Sequence, residues 1–151
     1  MRVCLVSREF APFWGAGIGT YAANMAAAWH GAGHEAHVPC PPHEGLVTRG
    51  PELMHGVRFH TVDPELAEDD AAGCRYDFER YGLRVLRTLE ALHKQTPFDL
   101  IEFPDYWAEG HAVIRARRED GALAGAALVV RLHTPTTEAR RLNDDATDEP
   151  E

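Results

Sequence analysis

Apolar and polar positions along the chain switch period several times, and each switch marks an element. Val3, Cys4, Leu5 and Val6 form an unbroken apolar run between Arg2 and Ser7, too short for a helix, and a Pro/Gly-rich segment from Phe10 to Gly19 follows. This predicts a first strand and a long loop. Ile18, Tyr21, Ala22, Met25, Ala26 and Trp29 then recur three and four apart until Gly31 and Gly33, the signature of an amphipathic helix. Ala36 to Val38 predicts a second short strand closed by Pro39, Pro41 and Pro42, and the alternation from Val57 to Val62 predicts a third. Asp63 to Gly73 is acidic and predicts a surface loop.

Tyr81, Val85, Leu89 and Leu92 return to helical spacing, with Arg80, Arg84, Arg87 and Lys94 on other faces, and this helix stops before Thr96-Pro97. Leu100-Ile101 predicts a fourth strand and Trp107 to Arg118 a short helix. Ala126 to Leu132 is a continuous apolar run of the kind expected for a strand buried on both faces. The order β-α-β-β-α-β-α-β implies an α/β fold with a parallel sheet. Such a sheet binds ligands at the carboxyl ends of its strands, where the loops after Ser7, Glu102 and Leu132 fall. Residues 1–142 are expected to form this domain, and the acidic stretch from Asn143 to Glu151 a disordered tail.

Composition narrows the class. With 151 residues, 44% hydrophobic and 26% charged, the chain can build one real core. The net charge of −9 disfavours nucleic acid and anionic lipid, although Asp144, Asp145, Asp148, Glu149 and Glu151 concentrate much of it in the tail. No apolar run is long enough to span a membrane, and the N-terminus lacks a leader-like apolar region, so the expected location is the cytoplasm. Cys4, Cys40 and Cys74 are widely spaced and odd in number, which fits a reduced compartment.

Gly15, Gly17 and Gly19 lie just ahead of a helix N-terminus, where exposed N–H groups favour an anion such as a phosphate. Glycines that merely turn a loop are an equally good reading. Gly17-Ile18-Gly19-Thr20-Tyr21-Ala22 also matches the dinucleotide fingerprint, but nine residues separate Ser7 from Gly17 and no carboxylate follows the second strand, which weakens NAD binding. His30, His34 and His37 lack the partners for a tetrahedral metal site and read as solvated. Ser7 has no nucleophile-elbow context, and Arg115, Arg117 and Arg118 read as a solvated helix end.

Four segments taken in order are more specific. Val6-Ser7-Arg8-Glu9-Phe10-Ala11-Pro12-Phe13 with Gly15 to Tyr21, then Gly33-His34-Glu35-Ala36-His37-Val38, resembles the opening of family 4 retaining glycosyltransferases. Phe98-Asp99-Leu100-Ile101-Glu102-Phe103-Pro104-Asp105-Tyr106-Trp107-Ala108-Glu109-Gly110, and Leu128 to Thr136, resemble two later stretches of that family. The resemblance runs to about Thr136. It implies a Rossmann-like domain, the N-terminal and acceptor-side half of a GT-B enzyme that moves a sugar from a nucleotide-sugar, such as a UDP- or GDP-sugar, to a hydroxyl with retention.

By the same resemblance Gly15, Gly17, Gly19 and Thr20 approach the donor diphosphate, with Ala16 a departure from the family pattern. His133 lies near the transferred sugar. From their place at the cleft side of such a sheet, Asp105 and Glu109 are expected to hydrogen-bond sugar hydroxyls or accept a proton from the acceptor, Tyr106 and Trp107 to stack on a sugar ring, and Arg8 and Glu9 to face the cleft, with no metal and no further cofactor expected. The alternatives are helix capping by Asp105 with a buried Trp107, and an Arg8 that pairs with Glu9. By the resemblance, the family's donor-binding half, including its Glu-x7-Glu motif, is expected to follow this domain, whereas the chain stops at Glu151, and no further helix is expected after Thr136. The chain is therefore expected to be part of an enzyme and inactive alone. A stand-alone sugar- or nucleotide-binding module, and less so an NAD-binding domain, are the competing functions.

Overall fold

The computed structural model describes residues 1–13, 15–42, 53–54, 56–62, 73–134 and 136–142. Most of the predicted surface loop at Asp63 to Gly73 and the acidic tail at 143–151 lie outside these. Six strands form one sheet: β1 (Arg2–Leu5), β2 (Glu35–Cys40), β3 (Leu53–Met54), β4 (Val57–Thr61), β5 (Leu100–Pro104) and β6 (Ala127–Arg131). The helices are α1 (Gly17–Gly31), α2 (Asp77–Gln95), α3 (His111–Asp120) and α4 (Thr136–Leu142), with a 3₁₀ turn at Tyr106–Ala108. The spatial order is β3-β4-β2-β1-β5-β6, parallel throughout except for the antiparallel β3–β4 pair. This is the Rossmann-like architecture expected. No helix among the described residues is long and apolar enough to cross a membrane.

Alternation along β1 explains the layering. Val3 and Leu5 point to α1 and meet Ala22, Ala26, Val38 and Phe59, while Cys4 and Val6 point the other way, into Val85, Leu89, Ile101 and Phe103. Both faces of the central strands are thus covered by helices, as a parallel sheet requires. Burial pushes the Cys40 thiol up to about 12 and the Cys4 thiol well above its ordinary range.

Three expectations change. Pro39 does not end the second strand: β2 pairs with β1 only through His37 but with β4 through Cys40, so Pro39 sits where one flank needs no ladder donor. Ala126 to Leu132 is not buried on both faces, because β6 is an outer strand of the described sheet, and Leu132 is 76% exposed. A short α4 follows Thr136 where no helix was expected.

Two basic groups expected at the surface are structural. Arg117 donates to the carbonyls of Ala122, Leu123 and Ala126, which shapes the turn that launches β6. His37 is buried and stacks on His60, with Nδ1 of His37 2.7 Å from Nε2 of His60. His37 Nε2 lies 3.2 Å from Arg2 Nε and 3.1 Å from Glu35 Oε1, a donor and an acceptor that compete for one ring nitrogen. Burial first, then Arg2 for His37 and the His37 ring for His60, holds both histidines down at about 4.

Candidate active site at the carboxyl edge of the sheet

The loops that follow β1, β5 and β6 all leave the same edge of the sheet, and α1 begins there. The candidate site residues Arg8, Gly15, Gly17, Gly19, Thr20, Asp105, Tyr106, Glu109 and His133 lie on these segments, in two adjoining groups and the glycine loop.

The first group surrounds His133. Its backbone N–H donates to Asp105 Oδ1 at 3.0 Å, so the β5 loop carries the residue that ends the β6 segment. The ring packs edge-on against Tyr21, 4.7 Å between centroids. Tyr21 in turn donates to Glu102 Oε1 at 2.5 Å, and Arg131 NH2 lies 3.5 Å from Glu102 Oε2. Glu102 is buried midway along β5, where its charge is met by these two partners. Burial and the Glu102 hydrogen bond raise the Tyr21 hydroxyl to about 12. Among the described residues, Asp105 Oδ2 and His133 Nε2 have no hydrogen-bond partners although both atoms are buried. Asp105 caps no helix; its side chain is committed to His133.

The second group surrounds Glu109, which is only 3% exposed. Its Oε1 accepts the Arg8 N–H at 3.1 Å and lies 3.9 Å from Arg8 Nε, while Oε2 has no partner. Arg8 therefore pairs with Glu109 and not with Glu9. Its guanidinium lies 3.8 Å over the Tyr81 ring and 5.8 Å from that of Trp107, with Nε and NH2 still lacking hydrogen bonds. Burial raises the Glu109 carboxyl to about 7 against the opposing pull of Arg8. Gly110 allows this placement, since a Cβ there would meet Phe103 Cγ at 2.8 Å.

Trp107 is not buried: it is 43% exposed, and it and Ala108 adopt φ of 59° and 50°, the left-handed region. The expected helix from Trp107 is accordingly split, with a 3₁₀ turn first and α3 only from His111. Arg8, Glu9, Ile18, Tyr106, Trp107 and Glu109 enclose a cavity of about 120 Å³.

The glycine loop differs from the sequence expectation in one respect. Its N–H groups are already met by a carboxylate of the chain, because Glu9 Oε2 accepts from Ala16 N–H at 2.9 Å and from Gly19 N–H at 3.4 Å. Gly15, at φ +121°, lies against this side chain, and a Cβ there would fall 2.5 Å from Glu9 Cβ. Gly17 and Gly19 are inside α1, and the Thr20 hydroxyl donates back to the Ala16 carbonyl at 3.1 Å. Among the residues not singled out, Glu102 carried a usable signal: it is the one charge inside the apolar run from Leu100 to Phe103. Tyr21 and Tyr81 gave none, since both fall on helix faces that also build the core.

A helix-flanked sheet, parallel but for β3, places the domain in the Rossmann-like α/β class. The chain belongs to the glycosyl transferase 4-like domain family, which matches residues 16–149. No curated protein shows significant sequence similarity to it. Among solved structures, the catalytic domain of starch synthase IV from Arabidopsis thaliana, bound to ADP and acarbose, superimposes with a TM-score of 0.66 at 17% identity, over 87% of this chain and 34% of that one. Sucrose-phosphate synthase from Thermosynechococcus elongatus superimposes with a TM-score of 0.69 at 15% identity, over 97% of this chain and 37% of that one. These likenesses establish the fold as that of a GT-B glycosyltransferase domain. The chain spans about a third of the length of these two structures.

Proposed function

We propose that this domain is the acceptor-side wall of a retaining glycosyltransferase. The complete enzyme transfers a hexosyl unit from a nucleotide-sugar, such as a UDP- or GDP-sugar, to an acceptor hydroxyl. The observation that carries this reading is the pair of buried, unpartnered atoms Asp105 Oδ2 and His133 Nε2 at the edge where the glycine loop begins α1. Buried polar atoms without partners are rare in folded proteins, and a polyhydroxylated ligand supplies what both need.

In this reading His133 Nε2 meets the transferred sugar, and Asp105 keeps the histidine in place through its backbone N–H. Gly15, Gly17, Gly19 and Thr20 line the path of the diphosphate once Glu9 has swung away. Catalysis rests on holding donor and acceptor in line and on stabilising the departing diphosphate. A second domain supplies most of the donor contacts, so the 151-residue chain by itself does not turn over. That the Arabidopsis domain carries ADP, a nucleoside diphosphate, supports the donor class. The enzyme works in the cytoplasm, where its three thiols stay reduced.

The test is a transfer assay of the protein as it is made in its source cells, with labelled UDP- and GDP-sugars. Product with the donor's anomeric configuration, lost in His133→Ala, is the expected result. Inverted product, or unchanged turnover in His133→Ala, would overturn the reading.

A further inference from the structure

We propose that the cavity between Arg8 and Glu109 recognises the acceptor as an uncharged, polyhydroxylated ring, and that it selects against rings bearing a phosphate. The inference rests on the glycosyltransferase reading and adds to it the chemical class of the acceptor.

The cavity presents unmet hydrogen bonds of both kinds. Glu109 Oε2 is an acceptor with no donor, and Arg8 Nε and NH2 are donors with no acceptor. Glu109 is almost wholly buried, so water does not satisfy it cheaply. A pair of adjacent ring hydroxyls answers both needs, one donating to Glu109 Oε2 and its neighbour accepting from Arg8 NH2. The phosphate of a phosphorylated ring, a dianion above its second pKa of about 6, offers acceptors only and leaves the ionised Glu109 Oε2 unmet.

Charge points the same way. One guanidinium faces two carboxylates, Glu9 and Glu109, on the cavity wall, and Arg8 already has Glu109 as its ion-pair partner. A dianionic phosphate would enter a wall whose formal charge is negative whenever both glutamates are ionised. Trp107, held out of the helix by its left-handed backbone, borders the cavity with an indole suited to the apolar C–H face of a sugar or cyclitol. The groups facing Glu109 are Arg8 and Glu9 from the β1 loop and Tyr81 from α2, and none of them supplies a donor to Oε2.

The test uses the 151-residue chain labelled with nitrogen-15. The three tryptophan indole N–H signals are recorded, that of Trp107 being assigned by its loss in Trp107→Phe. Methyl α-glucopyranoside and myo-inositol are titrated against glucose 6-phosphate and inorganic phosphate. The expected result is a saturable shift of the Trp107 signal with a neutral ring, and at least five-fold weaker binding of the phosphorylated one. Glu109→Gln, which keeps the side-chain size, should weaken the neutral ring at least five-fold and flatten its pH dependence between pH 6 and 8. Arg8→Lys should weaken it too, and gives a second readout should Glu109→Gln fold poorly.

Phosphorylated ring binding as tightly as its neutral counterpart would overturn the proposal, and so would no response to any ring. If the cavity ignores every ring while the complete enzyme still transfers sugar and loses transfer in His133→Ala, the acceptor class falls and the glycosyltransferase reading stands.

Discussion

Glu9 caps the helix that its own loop leads into: its Oε2 accepts the N–H of Ala16 at 2.9 Å. An internal carboxylate thus occupies the position that an incoming diphosphate would claim, and the two compete for the same donors.

That competition is measurable. Glu9→Gln should lower the stability of the free chain by about 1 kcal/mol, the usual size of a lost capping interaction. It should also increase the thermal stabilisation by pyrophosphate relative to the native protein. A larger pyrophosphate response in the native protein would show that Glu9 does not block the loop.

Gly15→Ala places a Cβ at φ +121° and 2.5 Å from Glu9 Cβ. The strain and the clash together should cost on the order of 1–3 kcal/mol in urea unfolding. An unchanged midpoint would mean that Glu9 moves aside freely.

A histidine pair and a glutamate give stability opposite slopes with pH. His37 and His60 titrate at about 4 when folded against an ordinary 6.5, so their contribution is complete above 6.5 and is lost as pH falls toward 4. Glu109 titrates at about 7 when folded against 4.5, so its contribution is complete below 4.5 and is lost as pH rises through 7. Glu109→Gln should therefore gain stability on the native protein as pH increases from 4.5 to 7, exposing the histidine slope. His60→Asn should flatten the fall below 6.5. Parallel pH curves for all three proteins would refute both assignments.

Tyr21→Phe removes the hydroxyl that meets buried Glu102 Oε1, leaving Arg131 beside the other oxygen of that carboxylate. An unsatisfied buried charge of this kind costs about 1–3 kcal/mol or more, read as a lower urea midpoint. Because the same ring supports His133, transfer by the complete enzyme should fall as well. Loss of stability without loss of transfer would confine Tyr21 to a structural role.

The element order was legible because strands and helices bury different periods: the spacing from Ile18 to Trp29 and the unbroken run at Val3 to Val6 leave little choice. β6 was misjudged because an apolar run reports composition and not neighbours; Val129 and Val130 are apolar, yet their strand ends the described sheet. The carboxyl-edge loops were found, but their pairings were not. Arg8 reaches across 101 positions to Glu109, and Asp105 across 28 to His133, distances at which sequence carries no pairing information. Asp105 fits a helix cap by sequence pattern; only the backbone break at Trp107 frees it for His133.

The first of these strands in sequence lies inside the sheet, not at its edge. β1 pairs with β2 on one side and with β5 on the other, and the Arg2 N–H waits for Asp99. Chains are made from the amino end, so β1 stays half-paired until about two-thirds of these residues have emerged. On that face of β1, Val85 and Leu89 of α2 are made before β5, but Ile101 and Phe103 come only with it. The nascent domain therefore cannot lock in by halves, and the residues around Glu102 and Glu109 that furnish the site are the ones whose arrival completes its core.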